Sequence, residues 1–178
     1  MMTELQRLIS MKIILLTHER ELTRKTNTGQ LALNLFPEIC TRLIWSRVEP
    51  DNALLALIAK GQAKLLFPSA NSAGDVQYLE SQRGMAAKEI VDGTLPDWII
   101  ILDATWQEAK KMYRQSDYLK NAPTIALKAS KASQYTLRRN QLDNGLCTAE
   151  CVATLLEQNN QHDQAELLMQ SLIEHCQF

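Results

Sequence analysis

The chain has 178 residues, 46% of them hydrophobic and 22% charged, with a formal net charge of −1. That length suits one domain with a real core, and the composition excludes an intrinsically disordered chain. The near-zero charge excludes a histone-like polycation but leaves room for local basic patches, so nucleic acid is neither implied nor excluded.

Met11-Lys-Ile-Ile-Leu-Leu-Thr17 reads as a first buried strand. His18 to Gly29 is a polar loop, and Gln30 to Phe36 is helical until Pro37 stops it. Thr41 to Trp45 is a second strand. Ala53 to Ala59 is a helix with Gly61 as its C-terminal stop. Lys64-Leu-Leu-Phe67 is a short strand broken by Pro68, and Met85 to Val91 has helical character. The run Trp98-Ile-Ile-Ile-Leu102 has the length and β-branched content of a buried strand.

A helix from about Trp106 to Gln115 follows, opened by Thr105 and Glu108 at capping-box spacing. A strand at Thr124 to Leu127, a polar segment from Lys128 to Gly145, and helices near Ala149–Gln158 and Gln164–His175 complete the chain. Strands alternating with helices predict an α/β fold, with a mostly parallel sheet covered on both faces.

Four cysteines, Cys40, Cys147, Cys151 and Cys176, form no CxxC pair, and His162 and His175 do not complete a zinc spacing. They read as free thiols in a reducing compartment. No apolar run approaches the roughly 20 residues of a membrane span, and Met1 to Ser10 lacks a signal-peptide core. A cytoplasmic protein is expected.

Three clusters carry chemistry. Asp103-Ala-Thr-Trp106 lies where a strand ends and a helix begins, the place where open α/β sheets bind ligands. On the helix that follows, Gln107, Lys110, Lys111 and Arg114 form a stripe opposite Trp106, Ala109 and Tyr113. Such a stripe is either a solvated face or a strip for RNA phosphates. Asp103 alone is also an ordinary turn residue.

Ser133-Gln-Tyr-Thr-Leu-Arg-Arg139 precedes Leu146-Cys-Thr-Ala-Glu150. Its arginines suit bidentate binding of a carboxylate or phosphate, and Thr148 reads as a helix N-cap with Glu150 in the first turn. His18-Glu-Arg-Glu21, Thr26-Asn-Thr-Gly29 and Trp45-Ser-Arg47 form the third cluster, where Asn27 and Gly29 suit a turn and Thr28 a cap. The glycine-rich phosphate loop ending in Gly-Lys-Ser/Thr is absent.

Together these segments resemble the DTW-domain family. Asp103-Ala-Thr-Trp106 with Glu108-Ala-Lys-Lys-Met-Tyr-Arg114 looks like its signature. His18…Glu21…Thr26-Asn-Thr-Gly29, Trp45-Ser-Arg47, Leu66-Phe-Pro-Ser69, Ser133-x-Tyr135-x-Leu-Arg138 and Cys147-Thr-Ala-Glu150 occur in the family's order. The matching segments extend over residues 13 to 157, nearly the whole chain.

The resemblance implies a tRNA-uridine aminocarboxypropyltransferase, which moves the 3-amino-3-carboxypropyl group of S-adenosylmethionine onto N3 of a uridine. It also implies a SPOUT-like, knotted C-terminal region. One DTW domain over 1–178 is expected, with an N-terminal lobe at 1–61 and the donor-binding, catalytic region at 62–178. Many bacterial relatives carry an N-terminal zinc-binding cysteine cluster. This chain begins without one, so no metal is expected.

On that resemblance Asp103 is the candidate base, or the group that orients N3–H. Phe67, Pro68, Thr105, Trp106, Ser133, Tyr135, Leu137, Arg138 and Thr148 are candidates for the donor pocket. Within it, Trp106 and Tyr135 suit cation–π contact with the sulfonium and Arg138 suits the donor carboxylate. Arg24, Lys25, Arg47, Lys110, Lys111 and Arg114 are candidates for tRNA phosphates. A methyltransferase of the same fold, or a non-catalytic RNA-binding module, are the rival readings. Methyl transfer would use the same donor, and an RNA-binding module would not need Asp103.

Overall fold

The computed structural model describes residues 11–67, 88–89, 95–127 and 146–177. Six parallel strands, β1 (Lys12–Thr17), β2 (Cys40–Ile44), β3 (Ala63–Phe67), β4 (Lys88–Glu89), β5 (Trp98–Asp103) and β6 (Thr124–Ala126), form one sheet. Their order is β2-β1-β5-β3-β6-β4, with every pairing parallel. The sheet therefore draws strands from both sides of residue 61. Six helices among the described residues cover it: α1 (Gly29–Leu35), α2 (Asn52–Ala59), α3 (Trp106–Gln115), α4 (Asp117–Lys120), α5 (Thr148–Gln158) and α6 (His162–Cys176).

The central strands are apolar on both sides because both sides are covered. Ile13, Leu15, Ile99 and Ile101 pack against Ala32 of α1 and Phe36 just after it, Val152 and Leu155 of α5, and Leu168 and Leu172 of α6. Ile14, Leu16 and Ile100 face the other way, onto Leu54 and Ile58 of α2, Met112 and Tyr113 of α3, and Leu119 of α4. Alternation along a strand sends every second side chain to one face. Parity thus assigns Thr17 and Asp103, the last residues of β1 and β5, to the α1/α5 face.

That assignment positions the site. β1 leads into α1 on the first face, whereas its neighbour β5 leads into α3 on the second. Adjacent strands whose connections leave to opposite faces open a crevice at their C-terminal ends. Thr17 pairs with Asp103 in the β1–β5 register, so both stand at its floor.

Most expected elements appear within one or two residues of their expected ends. α3 opens with a full capping box: the Glu108 amide donates to Thr105 Oγ1 at 3.3 Å, and Glu108 Oε2 accepts from the Thr105 amide at 3.0 Å. Gly61, just after α2, takes a φ of 67°, the left-handed conformation that ends helices. One expectation is corrected at two residues. Lys88 and Glu89 are strand, not helix, because they pair in parallel with Ile125 and Ala126 at the sheet edge. A non-local partner there overrides local helix propensity. The remainder of the expected 85–91 helix, and the polar segment from Lys128 to Gly145, lie outside the described residues.

Candidate active site

Asp103 is the centre of the crevice and is 1% exposed. Its carboxylate accepts hydrogen bonds from three elements. Thr148 Oγ1, at the start of α5, donates to Oδ1 at 2.9 Å. Thr17 Oγ1, on β1, donates to Oδ2 at 3.1 Å. Asn27 Nδ2, in the loop before α1, lies 3.0 Å from each oxygen. Arg42 Nη2, from β2, stands 3.9 Å from Oδ2. Thr17 Oγ1 also lies 3.2 Å from Leu15 O, but a bond to an ionised acceptor is the stronger of the two.

The loop before α1 is built around Asn27. Its amide nitrogen also donates to Glu21 Oε2 at 2.9 Å, and its oxygen accepts from the Gln30 amide at 2.9 Å and from Arg42 Nη2 at 3.4 Å. Only a side chain with both an N–H2 and a C=O can serve two carboxylates and a helix start together. Gly29 follows, and a Cβ there would sit 2.7 Å from Asp103 Oδ1 and 2.9 Å from Cγ and Oδ2. The missing side chain is what lets α1 close over the carboxylate.

The two threonines expected as caps bond instead to distant partners. Thr28 precedes α1 but makes no side-chain cap there; its Oγ1 accepts from the Ala149 amide of α5 at 3.1 Å. Thr148 is not the N-cap of α5. Cys147 occupies that position, Glu150 Oε2 accepts from the Cys147 amide at 2.8 Å, and the Thr148 hydroxyl turns to Asp103. The two helix starts are thus stitched to one another and to β5.

A second tier surrounds this floor. Glu21 is 1% exposed and takes an ion pair from Arg24, whose guanidinium also reaches Glu108 at 3.5 Å. Glu108 in turn accepts from the Thr105 hydroxyl at 2.7 Å. Partial burial pushes the Glu108 carboxyl up. The side-chain and backbone hydrogen bonds from Thr105, with Arg24 and His18 nearby, outweigh that and hold it below its ordinary value.

His18 donates its amide to Asp103 O at 3.2 Å, accepts the Arg20 amide on Nδ1 at 3.3 Å, and stacks on Trp45 at 5.5 Å between centroids. Trp45 Nε1 is anchored on Ser116 Oγ at 2.9 Å.

The candidate donor-pocket residues separate accordingly. Trp106 begins α3, partly exposed, with Lys110 Nζ 5.4 Å from its ring centroid, a cation–π distance. Thr105 caps α3 and Thr148 binds Asp103. The backbone of Phe67 ends β3 beside Ala126. Pro68, Ser133, Tyr135, Leu137 and Arg138 lie outside the described residues. Of the candidate phosphate contacts, Lys25, Arg47, Lys111 and Arg114 are exposed, Lys110 lies against Trp106, and Arg24 is held between two carboxylates.

Sequence reasoning missed Arg42 and Thr17. Arg42 pairs with Leu15 in register and so faces the covered side, where it donates to Gln30 Oε1 at 2.9 Å. An arginine at a covered strand position is rare unless paired, but only the register with Leu15 shows that position 42 is covered.

Burial pushes the Cys40 and Cys151 thiols up to about 12, and raises Cys147 as well, with nearby glutamates adding to the effect. These thiols are protonated at neutral pH, the form that neither ligates metal nor attacks. Among the described residues no group of three or more His, Cys, Asp or Glu side chains could hold a metal.

Two predictions follow from this geometry. Gly29→Ala forces a methyl against a carboxylate that its donors hold in place. We expect a loss of about 1–3 kcal/mol, the usual cost of overpacking, read as a lower urea midpoint at unchanged slope. Glu108→Gln keeps an oxygen for the cap and removes the charge. Because the folded-state value of Glu108 is lowered, its stabilisation is present above about pH 4.3, the ordinary glutamate value, and fades as pH falls through the lowered one. The wild type should therefore melt above Glu108→Gln near neutrality, by less than about 1 kcal/mol for a partly exposed pair. That gap should close as pH falls below the ordinary glutamate range; a gap constant with pH would contradict the assignment.

The DTW domain model matches residues 1–178, the entire chain. A protein named tRNA-uridine aminocarboxypropyltransferase 2 from Macaca fascicularis is 28% identical over 177 residues, covering 96% of this chain and 55% of the relative. Its namesake from Mus musculus is 29% identical over the same shares, and that of Drosophila melanogaster is 27% identical over 153 residues, 83% of this chain and 56% of the relative. The chain thus spans about half the length of the curated relatives it matches. No solved structure matches it. With the Asp103-Ala-Thr-Trp106 junction at the mouth of the β1–β5 crevice and the family model matching from end to end, the chain belongs to the DTW-domain family.

Proposed function

We propose that this protein is a tRNA-uridine aminocarboxypropyltransferase that takes its alkyl group from S-adenosylmethionine. The observation that carries the reading is the position of the family motif. Asp103-Ala-Thr-Trp106 spans the strand-to-helix junction at the switch point of a parallel sheet, the general ligand-binding place of such folds. The relatives named for this activity align with 96% of the chain. A SPOUT-like, knotted C-terminal region is part of the proposal. Its support is the all-parallel order with β5 between β1 and β3, and the return of α5 and α6 onto the first face.

The crevice suits a cationic, aromatic donor. Trp106 offers an indole face at its rim, where Lys110 already makes a cation–π contact. When bound, S-adenosylmethionine would supply a sulfonium that makes the attached γ-carbon electrophilic and leaves as a neutral thioether. Overall, the N–C bond to uridine N3 forms, the Cγ–S bond breaks, methylthioadenosine leaves and the N3 proton is released. The protein's task is orientation: its walls must present Cγ, not the methyl, to N3. We assign wall positions to Trp106, Phe67, Pro68, Ser133, Tyr135 and Leu137, and the donor carboxylate to Arg138. Thr105 and Thr148 support the wall from behind through their bonds to Glu108 and Asp103.

Exposed cations provide the tRNA contacts in this reading. The loop carrying Arg47 is tied to the α3–α4 junction by Trp45 Nε1 on Ser116 and by Tyr118 OH on Ser46 O at 3.4 Å. It thereby approaches the end of α3 that holds Arg114. Lys25 and Lys111 extend the set, with Lys110 and Arg24 at its inner edge. We assign the reaction to the cytoplasm, consistent with four free cysteines. No helix among the described residues is long and apolar enough to cross a membrane.

The decisive assay incubates the protein with S-adenosylmethionine and unmodified tRNA and identifies the small product by mass spectrometry. Methylthioadenosine with aminocarboxypropyl-uridine in the digest is expected. S-adenosylhomocysteine would mean methyl transfer and would end this reading. If Lys111 and Arg114 each neutralise one phosphate, replacing both by alanine should flatten the slope of log K against log salt by about 1.4–1.8. An unchanged slope would remove them from the interface.

A further inference from the structure

We infer that Asp103, the acidic residue of the family motif, is a positioning residue that fixes two helix starts and does not take the uridine proton. A general base must come within hydrogen-bond reach of the proton it removes. The Asp103 carboxylate is 1% exposed, and each of its oxygens already accepts from a hydroxyl and lies 3.0 Å from Asn27 Nδ2. The backbone of Gly29 lies so close that even a methyl group does not fit above the carboxylate. The described contacts leave neither oxygen open to a nucleobase.

The groups that face the carboxylate are donors: the Asn27 N–H2 and the Arg42 guanidinium have no acceptor to offer. Asn27 cannot be reversed, because its oxygen holds the Gln30 amide. The other ionisable groups around this cluster are Glu21, joined through Asn27, and His18, whose amide binds the Asp103 carbonyl. Neither offers the carboxylate an acceptor in the described contacts.

What the carboxylate does is hold parts together. Through Asn27 it sets the Gln30 amide in the first turn of α1, and through Thr148 it sets the start of α5, while Thr28 joins these two starts directly. Groups that orient the groups touching a ligand typically matter by about 10–100-fold when removed. The inference rests on the transferase reading only in naming the proton; the positioning role stands on geometry alone.

The test compares wild type, Asp103→Asn and Thr148→Val in the full chain. Thr148→Val leaves the Asp103 charge intact and removes one of its donors. Amide hydrogen exchange is followed at Gln30 and Ala149, and methylthioadenosine release is followed against pH. We expect both amides to exchange about tenfold faster or more in both variants, as local opening becomes easier. Both variants should retain the wild-type acidic limb in kcat, with comparable losses. Wild-type protection in Asp103→Asn would overturn the positioning role. Loss of the acidic limb in Asp103→Asn alone would restore Asp103 as the base. If Asp103→Asn does not fold, Thr148→Val decides: wild-type exchange at Gln30 and Ala149 overturns the inference, and faster exchange supports it. If wild type releases no methylthioadenosine, the transferase reading fails, and the exchange arm still decides the positioning role.

Discussion

A carboxylate buried at the end of a central strand is the constraint around which the rest of this structure is arranged. Removing an ion from water is costly unless hydrogen bonds replace its hydration. Asp103 obtains them from side chains on β1, the loop before α1, and α5. Each donor then loses its freedom of identity. Residue 17 must carry a hydroxyl on the covered face, residue 148 a hydroxyl at a helix start, and residue 27 an amide. Residue 29 must carry no side chain at all. The first residues of two helices, Gly29 and Thr148, also lie beside the anion, where helix dipoles favour a negative charge.

The second tier follows from the first. Asn27 shares its amide nitrogen between Asp103 and Glu21, so two buried carboxylates stand on one side chain. Arg24 and Arg42 flank them, which brings the cluster near neutrality. Arg24 carries the tie outward to Glu108 and thus to the cap of α3. The loop between β1 and α1 is consequently fixed at both its polar ends. The guanidinium that sequence alone offers to RNA is largely engaged in the protein's own framework. Surface cations without such partners among the described residues, such as Lys111 and Arg114, carry the electrostatic case for an RNA contact.

How much of this was legible in the sequence depends on whether the partner is local. The β-branched run before Asp103, the Thr105–Glu108 box and the stop at Gly61 are read within a few residues, and each is found as expected. The errors share one cause. Thr28 and Thr148 have the residue type of helix caps, yet each spends its hydroxyl on a group over 40 residues away in sequence. Lys88 and Glu89 join a sheet edge because β6 is there. Arg42 looks like an ordinary strand cation until register with Leu15 places it on the covered face. The location of the site was readable because strand ends precede helix starts. Its wiring was not, because hydrogen bonds between distant segments leave no periodic trace.

The order of residues in the motif becomes intelligible once the crossing between faces is considered. β5 must hand the chain from the first face, where Asp103 points, to the second, where α3 packs. Asp103 takes the last strand position and binds the first face. Ala104 and Trp106 then lie against the second core, while Thr105 between them closes the helix start with Glu108. A larger residue at 104 would meet that core, and a residue without a hydroxyl at 105 would leave the Glu108 amide without its cap. Four consecutive residues thus secure two opposite faces of the sheet at the point where its connections diverge. The crevice that a ligand would enter is held from both sides by the motif itself, so the acid can be indispensable to the site without touching the reacting atoms.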